Sequence, residues 1–95
     1  MTKYEKYFQK MLDDYSGLFE EFEKVHKEIA AGNEDMRDEF NTVGTKALRL
    51  IRKTENEVCS KTENSGYGKF SENLSEKFWE AVRAKFPLID TVKPL

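Results

Sequence analysis

Apolar and aromatic positions at Tyr4, Phe8, Met11, Tyr15, Leu18, Phe22, Val25 and Ile29 alternate in steps of four and three, the heptad spacing of a packed helical seam. Thr2 and Glu5 stand just ahead of them with the spacing of a capping box, in which hydroxyl and carboxylate each satisfy an otherwise orphaned backbone N–H. The pattern predicts one helix over residues 3–31, interrupted only by Gly17, which costs about 1 kcal/mol relative to Ala in a helix interior. Gly32 suits the left-handed residue after a helix end, and Asn33 with Glu34 and Asp35 reads as the cap and acidic first turn of the next helix. A second series, Met36, Phe40, Val43, Ala47, Leu50 or Ile51, Thr54 and Val58, predicts a helix over 34–62. Two long helices joined by a short turn form an antiparallel hairpin.

Residues 63–70 read as a loop, because two glycines with Asn and Ser permit backbone angles that a helix does not use. Ser71 as cap, then Leu74, Phe78, Ala81, Val82 and Phe86 on one side, with Pro87 just beyond, predict a third helix over 71–86. Residues 87–95 are expected as an extended tail. The expected fold is therefore all-α: a long antiparallel helical hairpin plus a shorter third helix, a three-helix bundle, with an extended C-terminal tail, all in one domain. The third helix, about 24 Å long, covers little more than half of a hairpin about 43 Å long. Tyr7, Leu12 and Phe19 widen the apolar face of the first half of helix 1, whereas beyond Phe22 the stripe narrows to Phe22, Val25 and Ile29. The wide half suits three-helix packing and the narrow half suits a two-helix seam, so the distal hairpin is expected to project. The tail, apolar at Leu88, Ile89 and Val92, either docks along that uncovered half or meets a partner.

Composition changes this picture little. With 38% hydrophobic and 36% charged residues in 95, the chain has the balance of a folded helical protein with one wet face per helix. A single cysteine, Cys59, excludes an intrachain disulfide and a multi-cysteine zinc cage. Neither a signal peptide nor a membrane span is read from the apolar pattern, and a cytoplasmic location is the expectation. The net charge of −2 hides an asymmetry: up to Glu39 there are six Lys or Arg against eleven Asp or Glu, and from Phe40 onward ten against seven. Such dipolar halves favour pairing within the chain or head to tail between copies. The hairpin tip carries an acidic rim of Glu28, Glu34, Asp35, Asp38 and Glu39.

Candidate chemistry is sparse. Glu23 and His26 have the Glu-x-x-His spacing of one half of a ferritin-like di-metal site, which a second copy and a carboxylate such as Glu55 or Glu57 would have to complete. In the heptad frame, however, Val25 is buried, Glu23 points to water and His26 only flanks the seam. Cys59 and His26 are the one nucleophile and base pair, and an antiparallel hairpin sets them far apart. Lys46, Arg49, Arg52 and Lys53 put four cations on nearly one face of helix 2, a polyanion candidate diluted by Glu55 and Glu57 and open to pairing with acidic neighbours on helix 1. Ser65-Gly66-Tyr67-Gly68 offers amides and a ring to a ligand, or simply turns the chain. Phe78 and Trp79 are adjacent, so one of them faces a second surface, and Trp79 is the interface candidate.

These readings lead to an expectation of a non-enzymatic helical protein–protein interaction module without a cofactor, self-associating or docking a protein partner through Phe22, Val25, Ile29, Met36, Phe40, Trp79, Leu88, Ile89 and Val92. The competing expectations are a nucleic-acid-associated or regulatory protein using the basic face, and a di-metal carboxylate half-bundle completed on dimerisation. No membrane partner is expected.

Overall fold

The computed structural model describes residues 2–64 and 68–94, with side chains outside 59–73. It is all-helical: α1 (Lys3–Asp14), α2 (Ser16–Ala30), α3 (Arg37–Asn64) and α4 (Gly68–Lys85), with 3-10 turns at Glu34–Met36 and Ile89–Thr91. The capping box forms as expected, Thr2 Oγ1 accepting from the Glu5 N–H at 3.4 Å and the Glu5 carboxylate accepting from the Thr2 N–H and hydroxyl.

The helix expected over 3–31 is two helices. Tyr15 stands between them with φ −122° and ψ 39°, its N–H closing α1 on the Met11 carbonyl and its own carbonyl accepting from Phe19. Tyr15, Ser16 and Gly17 are weak helix formers in succession, so the joint falls where continuing the helix gains least. Its consequence is a small shift of the buried face, since Phe22, Val25 and Ile29 of the expected seam stay buried. Tyr15 and Leu18, expected in the seam, are respectively exposed and half-buried, while Phe19 and His26, expected to flank it, are buried. The buried face of α2 is Phe19, Phe22, Val25, His26 and Ile29.

Gly32 takes φ +95°, the left-handed turn residue expected there. Asn33 does not cap the following helix with its side chain; its amide donates instead to the Glu28 carboxylate at 2.9 Å. The second helix expected over 34–62 starts with the 3-10 turn, and α3 runs from Arg37 to Asn64. The third helix begins at Gly68, so Ser71 lies inside α4, not at its cap. Of the expected loop, 65–67 lie outside the described residues, as do the side chains of Cys59 and Lys69.

Contacts between the first two helices and α3 run in opposite chain order: Phe22 of α2 stacks on Phe40 near the start of α3, and Met11 of α1 shares a pocket with Leu50 and Thr54 further along it. α4 packs on α1 and α3, with Phe8 edge-on to Phe78 at 6.0 Å. The molecule measures 47 × 23 × 22 Å, its long axis matching the 28 residues of α3 at 1.5 Å each.

Candidate functional site

The distal half of α2 and α3, beyond the reach of α4, is not left bare. Phe86 leaves the end of α4 fully buried against Phe22, with ring centroids 4.9 Å apart, and Phe19 at 6.1 Å. After Pro87 the chain turns back over the groove between α2 and α3. The tail expected as extended is folded locally: the Ile89, Thr91 and Val92 N–H groups donate to the carbonyls of Phe86, Leu88 and Ile89, and the Thr91 hydroxyl also donates to the Leu88 carbonyl. Ile89 and Val92 are buried and Leu88 is half-buried.

Two side chains of the groove engage the segment's backbone. The Leu88 N–H donates to His26 Nε2 at 3.0 Å, and the Lys93 N–H donates to Asn41 Oδ1 at 3.0 Å. A ring nitrogen that accepts carries no proton, so His26 is the neutral tautomer protonated at Nδ1. Its ring is enclosed by Phe22, Phe40 and Phe86, with centroids 5.9, 6.1 and 5.8 Å away. Burial pushes the imidazole below the ordinary histidine value, against a smaller upward pull from the Glu23 carboxylate.

Gly44 forms the floor beneath Val92. A Cβ placed there would stand 2.7 and 2.9 Å from the two Val92 methyls and 3.2 Å from Phe22 Cε1. The absence of a side chain is therefore what admits Val92 between α2 and α3. At the rim, Arg37 donates to Glu34 at 2.9 Å and to the Thr91 hydroxyl at 3.3 Å, and Arg83 donates to Asp90 at 2.9 Å.

The residues expected to form a docking surface are thus gathered in this chain's own interior. Phe22, Val25, Ile29, Phe40, Ile89 and Val92 are buried, and Met36, Leu88 and Trp79 are half-buried against them. Trp79 lies on a second surface, an open groove of about 320 Å³ that it lines with Arg52, Arg83, Ile89, Val92 and Pro94. The Arg83 guanidinium lies over its ring at 5.4 Å.

Glu23 and His26 do not act together. The Glu23 carboxylate faces Lys27 at 3.7 Å and Lys85 at 3.9 Å, whereas Nε2 of His26 is taken up by Leu88. Among the described residues no group of three His, Cys, Asp or Glu side chains is placed to hold a metal. Of the two helix-2 carboxylates considered, Glu55 accepts a hydrogen bond from the Ser75 hydroxyl.

Lys46, Arg49, Arg52 and Lys53 are all exposed, and none makes an ion pair or hydrogen bond with a described residue. The pairing with acidic helix 1 neighbours that would have neutralised them is not formed. The acidic rim is partly engaged, Glu28 with Asn33 and Glu34 with Arg37.

Three residues central to the groove were not singled out from the sequence: Arg37, Asn41 and Gly44. Gly44 carried a signal, since a glycine inside an otherwise helical series with no turn residues around it marks a close approach. Asn41 and Arg37 carried none, being polar residues on a helix whose exposed face is polar throughout.

No helix of the described residues is long and apolar enough to cross a membrane. Comparison of the chain with family models, curated proteins and solved structures finds no match.

Proposed function

We propose that this chain is a non-enzymatic helical interaction module, an antiparallel hairpin of α1–α2 against α3 with α4 as third member of the bundle, whose α2–α3 groove holds a short apolar segment. In the resting chain the occupant is its own segment 88–93; on association it is the same segment of a second copy. The observation that carries this reading is the manner of docking: backbone N–H groups of the segment are received by side chains of two different helices, and Val92 enters a notch made by Gly44. Main-chain hydrogen bonds with a pocket for a side chain are the features by which proteins bind linear segments.

The energetics favour exchange. Ordering about six backbone residues costs about 6–12 kcal/mol. Burying Ile89 and Val92, half-burying Leu88 and closing two main-chain bonds contributes about 5–10 kcal/mol. The two nearly cancel, so docked and released segments differ by only a few kcal/mol, and the short link at Phe86 and Pro87 is a hinge about which the segment swaps between copies.

The test uses the full chain with Val92→Asp, which unseats its own segment, and a peptide of residues 88–95 with the natural sequence. The peptide is expected to bind the variant and not the wild type, read from the Asn41 side-chain amide signal in NMR. A variant that stays helical by circular dichroism yet leaves that signal unmoved by excess peptide overturns the reading.

A second reading has its own support, the four cations on α3 that pair with no described residue. A polyanion partner would engage Lys46, Arg49, Arg52 and Lys53, and its binding would weaken steeply with salt. Absence of any mobility shift with single- or double-stranded nucleic acid at low ionic strength removes it.

A further inference from the structure

We infer that His26 is a proton-operated latch on the C-terminal segment: protonation at Nε2 converts the acceptor of the Leu88 N–H into a donor and releases residues 88–93 from the groove. The use of the latch rests on the groove reading above; its geometry rests on the docked segment alone. His26 is the one histidine of the chain.

The contact cannot survive protonation in place. A neutral ring accepts the Leu88 N–H at 3.0 Å, whereas an imidazolium presents N–H to N–H at that separation and has nothing to accept from. Nor can the charge be hydrated in place, because Phe22, Phe40 and Phe86 enclose the ring. An unpaired charge among them is costly enough that the structure gives way or the proton is refused. The part that gives way is the segment, since α2 and α3 are long α-helices packed on each other, whereas residues 88–93 carry a single 3-10 turn and meet the groove through two main-chain bonds and the Val92 notch.

Charged groups around the ring do little to rescue the imidazolium. From α2, Glu23 pulls the ring toward its charged form, yet its carboxylate already faces Lys27 and Lys85. From α4, the Lys85 ammonium lies over Phe86 at 5.6 Å and offers an imidazolium no counter-charge. From α3, the Arg37 guanidinium lies over Phe40 at 5.1 Å with Glu34 as its partner. On the segment itself, Asp90 is engaged by Arg83.

Released, the imidazole titrates near the ordinary value of about 6.5; docked, it holds its proton less tightly because it is buried. The released form therefore binds more protons as the pH falls through about 6.5, until the docked ring protonates in turn, and docking weakens over that interval. At about pH 5.5 a released imidazole is about ten parts protonated to one neutral, so the docking constant falls by up to about tenfold relative to neutral pH.

The experiment follows the Leu88 and Lys93 amides and the His26 ring of the full chain by NMR from about pH 7.5 to 5. Hydrogen exchange is corrected for its intrinsic pH dependence. Protection of both amides is expected to fall together, up to about tenfold at about pH 5.5, in step with the His26 titration. His26→Gln, which keeps an acceptor but takes no proton in this range, is expected to lose that pH dependence. The inference is overturned if the wild-type ring titrates while both amides keep their protection, or if His26→Gln opens over the same pH range. Peptide binding to the Val92→Asp chain is measured at about pH 7.5, where the latch is closed. Loss of that binding with the pH response intact removes the groove reading and leaves the latch, and the converse removes only the latch.

Discussion

Replacing Gly44 with Ala separates two effects that ordinarily travel together. In the interior of a helix the substitution stabilises by about 1 kcal/mol, because glycine has more backbone freedom to lose. At this position the new methyl would stand 2.7 and 2.9 Å from the Val92 methyls, closer than carbon atoms approach, and 3.2 Å from Phe22 Cε1. Phe22 is fully buried among rings and can yield only slightly, whereas Val92 sits two residues before Pro94, at the end of a single 3-10 turn and outside any α-helix. Val92 is expected to leave. Losing its burial costs about 1.5–3 kcal/mol, which outweighs the helical gain.

The sign depends on the partner, which makes a double-mutant cycle decisive. Val92→Ala removes both offending methyls and alone costs about 1–2 kcal/mol. Introduced into that background, Gly44→Ala is expected to stabilise by about 1 kcal/mol, the reverse of its effect in the wild type. Urea unfolding of the four chains gives the coupling, and hydrogen exchange at Leu88 and Lys93 shows whether the loss lies in the segment. If Gly44→Ala alone stabilises by about 1 kcal/mol while both amides remain protected, Val92 does not occupy the notch and the account of the groove is wrong.

Other positions are expected to behave as follows. Asn41→Leu removes the acceptor of the Lys93 N–H and should weaken segment docking by about 1 kcal/mol, with Asn41→Asp retaining most of it, both read from exchange of the Lys93 amide. Gly32→Ala should destabilise by about 1–2 kcal/mol in urea, because φ is +95° there. Gly17→Ala, with no atom within 4 Å of the added carbon, should stabilise by up to about 1 kcal/mol. The Glu5 carboxyl is held below its ordinary value by the Thr2 hydroxyl and then the Thr2 N–H, so its contribution is complete above the ordinary glutamate value and is lost as the pH falls through the lowered one. Thr2→Ala, which removes the hydroxyl and leaves the N–H, should reduce that acid dependence in helicity measured by circular dichroism.

How much of this was legible in the sequence depends on whether the interaction is local. The capping box at Thr2 and Glu5, the left-handed Gly32 and the apolar series of α3 follow from spacings of three and four residues, and each is found where its spacing puts it. The joint at Tyr15 was not legible, because the heptad continues through it and only a run of three weak helix formers marks the place. At it Tyr15 faces outward, and beyond it His26 is buried beside Phe22, Val25 and Ile29. A histidine read as the edge of a seam therefore became the centre of an aromatic enclosure, and its roles as ligand and as base were replaced by acceptance of one backbone N–H.

The question that composition left open, whether the apolar tail covers its own hairpin or another chain, turns on residues that carry no periodic signal. Leu88, Ile89 and Val92 announce that something must be covered, but the groove that receives them is defined by Gly44, Asn41 and His26, and these contribute to no apolar stripe. Their work is negative or polar: one residue leaves space, two receive N–H groups that would otherwise be stripped of water without a partner. Such a groove is selective because an unfilled notch and two unanswered acceptors penalise any segment lacking Val92's shape or a free N–H at the positions of Leu88 and Lys93. On the reading proposed above the same dependence makes it reversible, since removing a single acceptor by one proton withdraws a bond from a balance already within a few kcal/mol of even. Covering the hairpin in this way keeps an apolar surface out of water and, on that reading, leaves it recoverable, which a fourth helix packed permanently over α2 and α3 would not do.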